Sequence, residues 1–245
     1  MKFSYSEVWN DAVEMLRTNA TIVIALAGVF LFLPGLLVAH FLPMPTTEAG
    51  FRELYRLMWE YFTANGLWIF LARLVAMVGE ISLLILFLDA RGRSVGTLIA
   101  AAVMILPFYF VASFLSGLML AVGFALLIVP GLYLIGRLAL VGPHIAAAGE
   151  RNPIAAIRRS FEMTEGKGWA VLGLLMLVWI AGAVIAGVIG SLLGILFIAV
   201  AGQDVGALLT NIVNSITNAA LQTVVIALVA ALYMRLRAGS AAKVD

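Results

Sequence analysis

The 42 residues Val95–Gly136, VGTLIAAAVMILPFYFVASFLSGLMLAVGFALLIVPGLYLIG, carry no charge. An α-helix needs roughly 20 apolar residues to cross a hydrocarbon core of about 30 Å, so this stretch is too long for one crossing and long enough for two. The Arg93–Arg137 interval must therefore fold back as spans 3 and 4. Ser116-Gly117 is the expected bend, with Pro107 inside span 3 and Pro130-Gly131 inside span 4. Outward from there, the chain is uncharged between Arg17 and Glu48, between Lys167 and Asp204, and from Val205 to Met234. Span 1 is expected at about Ala20–Leu42, around Pro34-Gly35, and span 2 at about Leu67–Leu88, carrying Arg73 and Glu80. Span 5 begins at Trp169, and span 6 follows Gln203-Asp204 and ends at Tyr233. The reading is an all-α polytopic membrane protein of about six transmembrane helices, some interrupted by Pro-Gly, forming a single transmembrane domain over 1–245.

Composition agrees. Hydrophobic residues make up 64% of the chain and charged ones 11%, against about 45–50% and about 25% in soluble domains, so a water-facing surface could not be covered. A net charge of +2 leaves no nucleic-acid footprint. With no cysteine, disulfides, thiolate metal sites and cysteine nucleophiles are excluded. Residues 1–19 contain Glu7, Asp11 and Glu14, and no small-residue cleavage site follows the first apolar run, so span 1 is expected to remain in the mature protein.

Orientation follows from Lys and Arg in the short loops. With the N-terminus inside, eleven fall on the cytoplasmic side: Lys2, Arg17, Arg91, Arg93, Arg151, Arg158, Arg159, Lys167, Arg235, Arg237 and Lys243. The opposite side holds Arg52 and Arg56, while Arg73 and Arg137 lie within spans. Both termini are thus expected in the cytoplasm. The interval 168–203 is a complication, because 36 helical residues would extend about 54 Å, longer than a bilayer core. Gly187, Gly190 and Gly194 offer breaks, so one span plus a broken, interfacial or re-entrant extension is expected.

Interfacial amphipathic helices are expected over about 5–17, 51–62 and 153–165, their apolar sides facing the acyl boundary. In the last, Ile154, Ile157 and Phe161 oppose Arg158 and Arg159, Asn152-Pro153 is a start signal and Gly166 a stop. A weak repeat pairs Leu33-Pro34-Gly35-Leu36 with Val129-Pro130-Gly131-Leu132. Such repeats occur in transporters, and Pro-Gly is also simply common in membrane helices.

Glu80 stands near mid-span, where an acid costs about 2.5–3.5 kcal/mol on insertion scales. Arg73 is seven residues earlier, on nearly the same face but about 10 Å away along the axis, which favours a water bridge over direct contact. In span 6, Asn211, Asn214, Ser215, Asn218 and Gln222 recur at helical spacing, either tying helices together or lining a polar pocket that Glu80 and Arg73 would share. Ala183, Gly187, Ser191 and Gly194 make a small-residue face for internal packing or a homodimer seam. Arg151, Arg158, Arg159 and Lys167 form a basic patch suited to anionic lipid headgroups. His40 and His144 fall near opposite membrane faces, so a shared metal site is not expected. No triad, phosphate loop, zinc motif or dinucleotide fingerprint is present, and neither catalysis nor a cofactor is expected.

The stretch Ile128–Leu177, IVPGLYLIGRLALVGPHIAAAGERNPIAAIRRSFEMTEGKGWAVLGLLML, resembles the membrane domain that is fused to bacterial glycerophosphoryl diester phosphodiesterases, and the free-standing YciC-type inner-membrane proteins. Pro130, Gly131, Tyr133, Arg137, Pro143, Arg159, Ser160 and Phe161 carry the likeness, with LYMRLRAG near the C-terminus and LDARGRSVGTLI in the second cytoplasmic loop. The resemblance implies a multi-pass protein of the bacterial inner membrane and cell envelope. The soluble phosphodiesterase barrel of the fused members has no counterpart here, so no catalytic residue carries over. The expected function is a non-catalytic accessory or lipid-interacting scaffold, with the bilayer and its anionic lipids, a second copy, or other envelope membrane proteins as partners. The alternative is a transporter or channel for a small polar or headgroup-like solute, using Glu80 and the span 6 stripe.

Overall fold

The computed structural model describes residues 4–48, 50–89 and 94–241. Lys2, Arg91, Arg93 and Lys243 of the inside charge count lie outside the described residues. Those residues form α1 (Tyr5–Thr18), α2 (Ala20–Ala27), a π-helical turn (Gly28–Phe32), α3 (Leu33–Phe41), α4 (Phe51–Leu88), α5 (Val95–Leu126), α6 (Ile128–Leu138), α7 (Val141–Ala148), α8 (Pro153–Met163) and α9 (Gly168–Ala241), with no strand among them. Five helical stretches are long and apolar enough to cross a membrane: Ala20–Phe41, Phe51–Leu88, Val95–Leu126, Ile128–Ala148 and Gly168–Ala238. The chain is an all-α, multi-pass membrane protein.

The last stretch is two arms. Gly202 has φ 79° and ψ 176°, outside the helical region, and breaks α9. Close approaches across the break run in antiparallel register: a Cβ on Gly206 would stand 2.6 Å from Ile198 Cα, and one on Gly194 3.1 Å from Thr210 Cγ2. Cβ atoms on Gly190 and Gly182 would overlap Asn214 and Leu221. Gln203-Asp204 thus follows a sharp hairpin between spans 5 and 6. The expected interruption at Gly187, Gly190 or Gly194 is absent, because helix 168–201 is continuous to Gly202. Gly190 and Gly194 instead give the returning arm room, the role small residues play where membrane helices pack closely. At 1.5 Å per residue the arm is about 51 Å long, so it outruns the hydrocarbon core.

Three other expectations are corrected. Span 3 turns into span 4 at Leu127, whose φ −162° and ψ 153° are extended, and α5 passes through Ser116-Gly117 and Pro107 without ending. Pro130 falls in the first turn of α6, where a backbone N–H has no helical acceptor anyway, so it marks a start rather than an interruption. Gly123 and Gly131 let the two helices close, since a Cβ on Gly123 would stand 2.8 Å from Leu134 Cδ1. The segment 51–62 is no separate interfacial helix, because α4 is continuous over 38 residues. Pro34, inside the first span, lies just beyond the π-helical turn, whose altered bonding accommodates its missing N–H.

The other two amphipathic helices exist, and much of their apolar sides meets protein, while Ile154 stays exposed. Val8 and Ala12 of α1 are fully covered in the main core with Leu26, Ile81, Leu228 and Leu232. Ala156 of α8 is buried in a second cluster with Val141 and Ile145, and Ile157 and Phe161 pack against it. Asn152 caps α8, accepting from Ile154 N (3.0 Å) and Ala155 N (3.2 Å), and Gly166 takes the left-handed φ of 68° that ends the segment. The core lies at one end of the bundle: its α4 members run from Val78 to Phe87, and its α9 members come from both ends of the hairpin. Beyond it the helices expose Trp68, Ile195 and Val200, side chains that suit lipid.

Candidate functional site

Glu80 sits on the stretch of α4 where the helix enters the core, and its side chain is largely covered. Its carboxylate is in direct contact with Arg73, through Arg73 Nη1 to Oε1 and Arg73 Nη2 to Oε2 at 3.2 Å. The expected water bridge is therefore replaced by a bidentate ion pair. Two helical turns separate the residues, and the extended arginine side chain, with the glutamate leaning toward the N-terminus as helical side chains do, spans that rise. From α5, Tyr109 donates its hydroxyl to Glu80 Oε2 at 3.3 Å. Each carboxylate oxygen thus has a protein donor, which answers the polar group's need for partners in an apolar helix bundle. Sequence reasoning missed Tyr109. A lone phenol in an uncharged span was the available signal, because a buried tyrosine hydroxyl needs a partner.

A cavity of about 350 Å³ lies behind Tyr109, bordered by Ser113, Ser116, Gly142, Ile226 and Val229 among others. Ser116 Oγ is buried and has no hydrogen-bond partner. None of the span 6 asparagines borders this cavity. That stripe is occupied elsewhere: Asn214 packs on Gly190 of the facing arm, and Asn218 Oδ1 accepts from Gln222 Nε2 at 3.2 Å. Ser215 is buried, and Asn211 lies a turn before Asn214 on the same arm. Among the described residues neither Arg73 nor Glu80 hydrogen-bonds to any of them, so the two halves of the expected polar pocket are separate features.

Four of the residues behind the family resemblance, Tyr133, Arg137, Ser160 and Phe161, come together where α6, α8 and α9 meet. Ser160 Oγ donates to the Arg137 carbonyl at 2.6 Å and accepts from Leu140 N at 3.2 Å, while Thr164 Oγ1 lies 3.4 Å from the same carbonyl. These bonds take up the backbone groups freed where α6 gives way to α7. The Arg137 guanidinium lies over the Phe161 ring (5.0 Å) and the Tyr133 ring (5.7 Å). Gly136 carries no Cβ because one would overlap the Gly168 carbonyl, and Gly131 none because one would meet the Phe124 ring at 2.5 Å. Pro143 is buried in α7.

The basic patch is divided. Arg158 Nε and Arg159 Nη1 share Glu162, at 3.1 and 3.0 Å, and the bond from Arg159, helped by Arg158, holds that carboxyl below its ordinary value against an opposing desolvation. Arg151 and Lys167 make no ion pair with a described residue. At the same end, Arg235 binds Glu7 and Asp11 of α1, with Nη2 to Asp11 Oδ1 at 2.9 Å. His144 Nδ1 and the Tyr233 hydroxyl are 3.2 Å apart, and His40 stacks edge-on against Phe41. Among the described residues no three His, Asp or Glu side chains are grouped to hold a metal ion.

No family model matches the chain, and searches among curated proteins and solved structures find no similar one.

Proposed function

We propose that this chain is a non-catalytic membrane protein that works by binding lipid, an accessory scaffold of the bacterial inner membrane with both termini in the cytoplasm. The observation that carries the reading is the pairing of Glu80: both of its oxygens are held by Arg73 and Tyr109, so an ion or solute would have to displace protein donors to use the acid. Two further clefts are almost wholly apolar. One of about 510 Å³ runs between Trp9 and both arms of α9, lined by Leu177, Ala181 and Leu221; another of about 500 Å³ lies between α3 and α4, lined by Pro34, Phe41 and Trp68. Surfaces of this kind suit acyl chains. The resemblance to the phosphodiesterase-linked membrane domain supports the same assignment, since there too the membrane part lies apart from the catalytic barrel.

A transport reading draws on the cavity beside Tyr109, where Ser116 offers an unused oxygen. One experiment separates the two. Wild type and Glu80→Gln are reconstituted in proteoliposomes, assayed for proton and small-solute flux, and released into mild detergent for native mass spectrometry. The proposal expects retained phospholipid in both proteins and no flux above empty vesicles. Flux that vanishes in Glu80→Gln would replace it with transport.

A further inference from the structure

Of the two arginines placed within spans, Arg73 has its acid and Arg137 has none. Contacts with the Tyr133 and Phe161 rings use the guanidinium's charge but consume none of its N–H donors. Among the described residues no hydrogen bond uses them either, and Nε is buried without an acceptor. Further positive charge gathers at the same place. The first turn of α9 abuts Gly136 and Arg137, for a Cβ on Gly168 would stand 2.9 Å from Arg137 Cδ. That turn carries the positive end of a long helix. Lys167, immediately before it, makes no ion pair with a described residue. The nearby acids do not answer this charge. Glu162 is taken by Arg158 and Arg159, and Glu165 is exposed and pairs with neither Arg137 nor Lys167.

We propose that Arg137 and Lys167 form a binding site for the phosphate of an anionic phospholipid in the leaflet that faces the charged end of the bundle. This rests on the lipid-binding reading above and names its site. The ligand is a phosphate-bearing anion because an arginine edge matches phosphate oxygens in a bidentate way and the helix N-terminus adds further N–H donors. The source is lipid rather than free phosphate because Trp169, exposed beside the site with its ring 5.4 Å from that of Tyr133, marks the headgroup level. The lipid phosphate settles against Arg137 and Lys167, and its glycerol lies along Trp169. The basic patch foreseen over Arg151, Arg158, Arg159 and Lys167 contributes one member, and two of the others are already engaged by Glu162.

The test uses the full chain in mild detergent with defined added lipid, phosphatidylglycerol or phosphatidylcholine, read by native mass spectrometry. Wild type should prefer phosphatidylglycerol, and Arg137→Gln and Lys167→Gln should each weaken that preference about fivefold. Arg137→Lys, which keeps the charge and the ring contacts and so protects the fold, should recover only part of it, because an ammonium lacks the bidentate edge. Arg158→Gln should leave it unchanged. An unaltered preference in Arg137→Gln and Lys167→Gln would overturn this site while leaving lipid binding intact. Absence of any bound lipid from wild type would overturn both. Displacement of the lipid by millimolar inorganic phosphate would overturn the lipid assignment.

Discussion

At the scale of single residues, the Arg73–Glu80–Tyr109 cluster has the sharpest energetic consequence. Removing one partner of a sequestered pair leaves the other charge without compensation, whereas removing both is far milder. Glu80→Leu should therefore destabilise the protein by about 2 kcal/mol, in line with hydrogen bonds to charged groups. Adding Arg73→Met to Glu80→Leu should recover more than half of that loss. Thermal unfolding in detergent measures both, and equal losses from the single and double variants would show that the ion pair carries no coupling. Tyr109→Phe should cost about 1 kcal/mol, because Glu80 retains the arginine. The pairing of Arg73 with Glu80 was only half visible beforehand. Spacing places them on one face, but the reach of an arginine side chain decides whether about 10 Å of axial rise is bridged.

At the scale of elements, the glycines of α9 separate a packing role from a permissive one. A Cβ on Gly206 would press on the backbone of Ile198, which cannot move aside, while Gly187 has nothing within 4 Å. Gly206→Ala should cost about 1–3 kcal/mol by forcing the arms apart. Gly187→Ala should be neutral or stabilise by up to about 1 kcal/mol, since alanine favours helix. Detergent melting curves distinguish them, and equal shifts would contradict the antiparallel register. In α8, Glu162 ties Arg158 to Arg159. Its carboxyl is lowered in the folded state, so the clamp is complete above the ordinary carboxylate range and is lost as pH falls through the lowered value. A spin label introduced at Arg151 should keep its mobility down to that range and loosen only below it. Glu162→Gln should show the loosened spectrum already at neutral pH.

At the scale of the whole molecule, Arg235 fastens the last helix to Glu7 and Asp11 of the first, so α1 and the last turns of α9 lie at one end of the bundle. With the loop charges, this predicts that reporters fused after Asp245 and near Glu48 give opposite readings, the first cytoplasmic. Matching readings would remove the inside assignment of both termini. The core at this end, and the thinner packing beyond it, also predict that hydrogen exchange is slowest at Ile81, Leu228 and Leu232 and faster near Gly202.

The solvent was written in the sequence. Forty-two consecutive uncharged residues from Val95 fix a membrane environment, a helical backbone and a fold-back. In hydrocarbon only a helix or a closed barrel satisfies its polar groups, and a continuous apolar run without alternation is a helix pattern. The cap at Asn152 and the stop at Gly166 were legible for the same local reason, being set by neighbours in the chain. Where the fold-back occurs was not: the sequence pointed to Ser116-Gly117, and the fit of Gly123 and Gly131 against the facing helix goes with a break at Leu127 instead. The asparagine stripe and Glu80 each announced a polar need, and only the arrangement of helices decided who met it. Gln222 and the opposite arm answered the asparagines, and Arg73 and Tyr109 answered the acid. In an apolar solvent each polar group must find a partner in the protein, and which one is within reach is settled by tertiary packing.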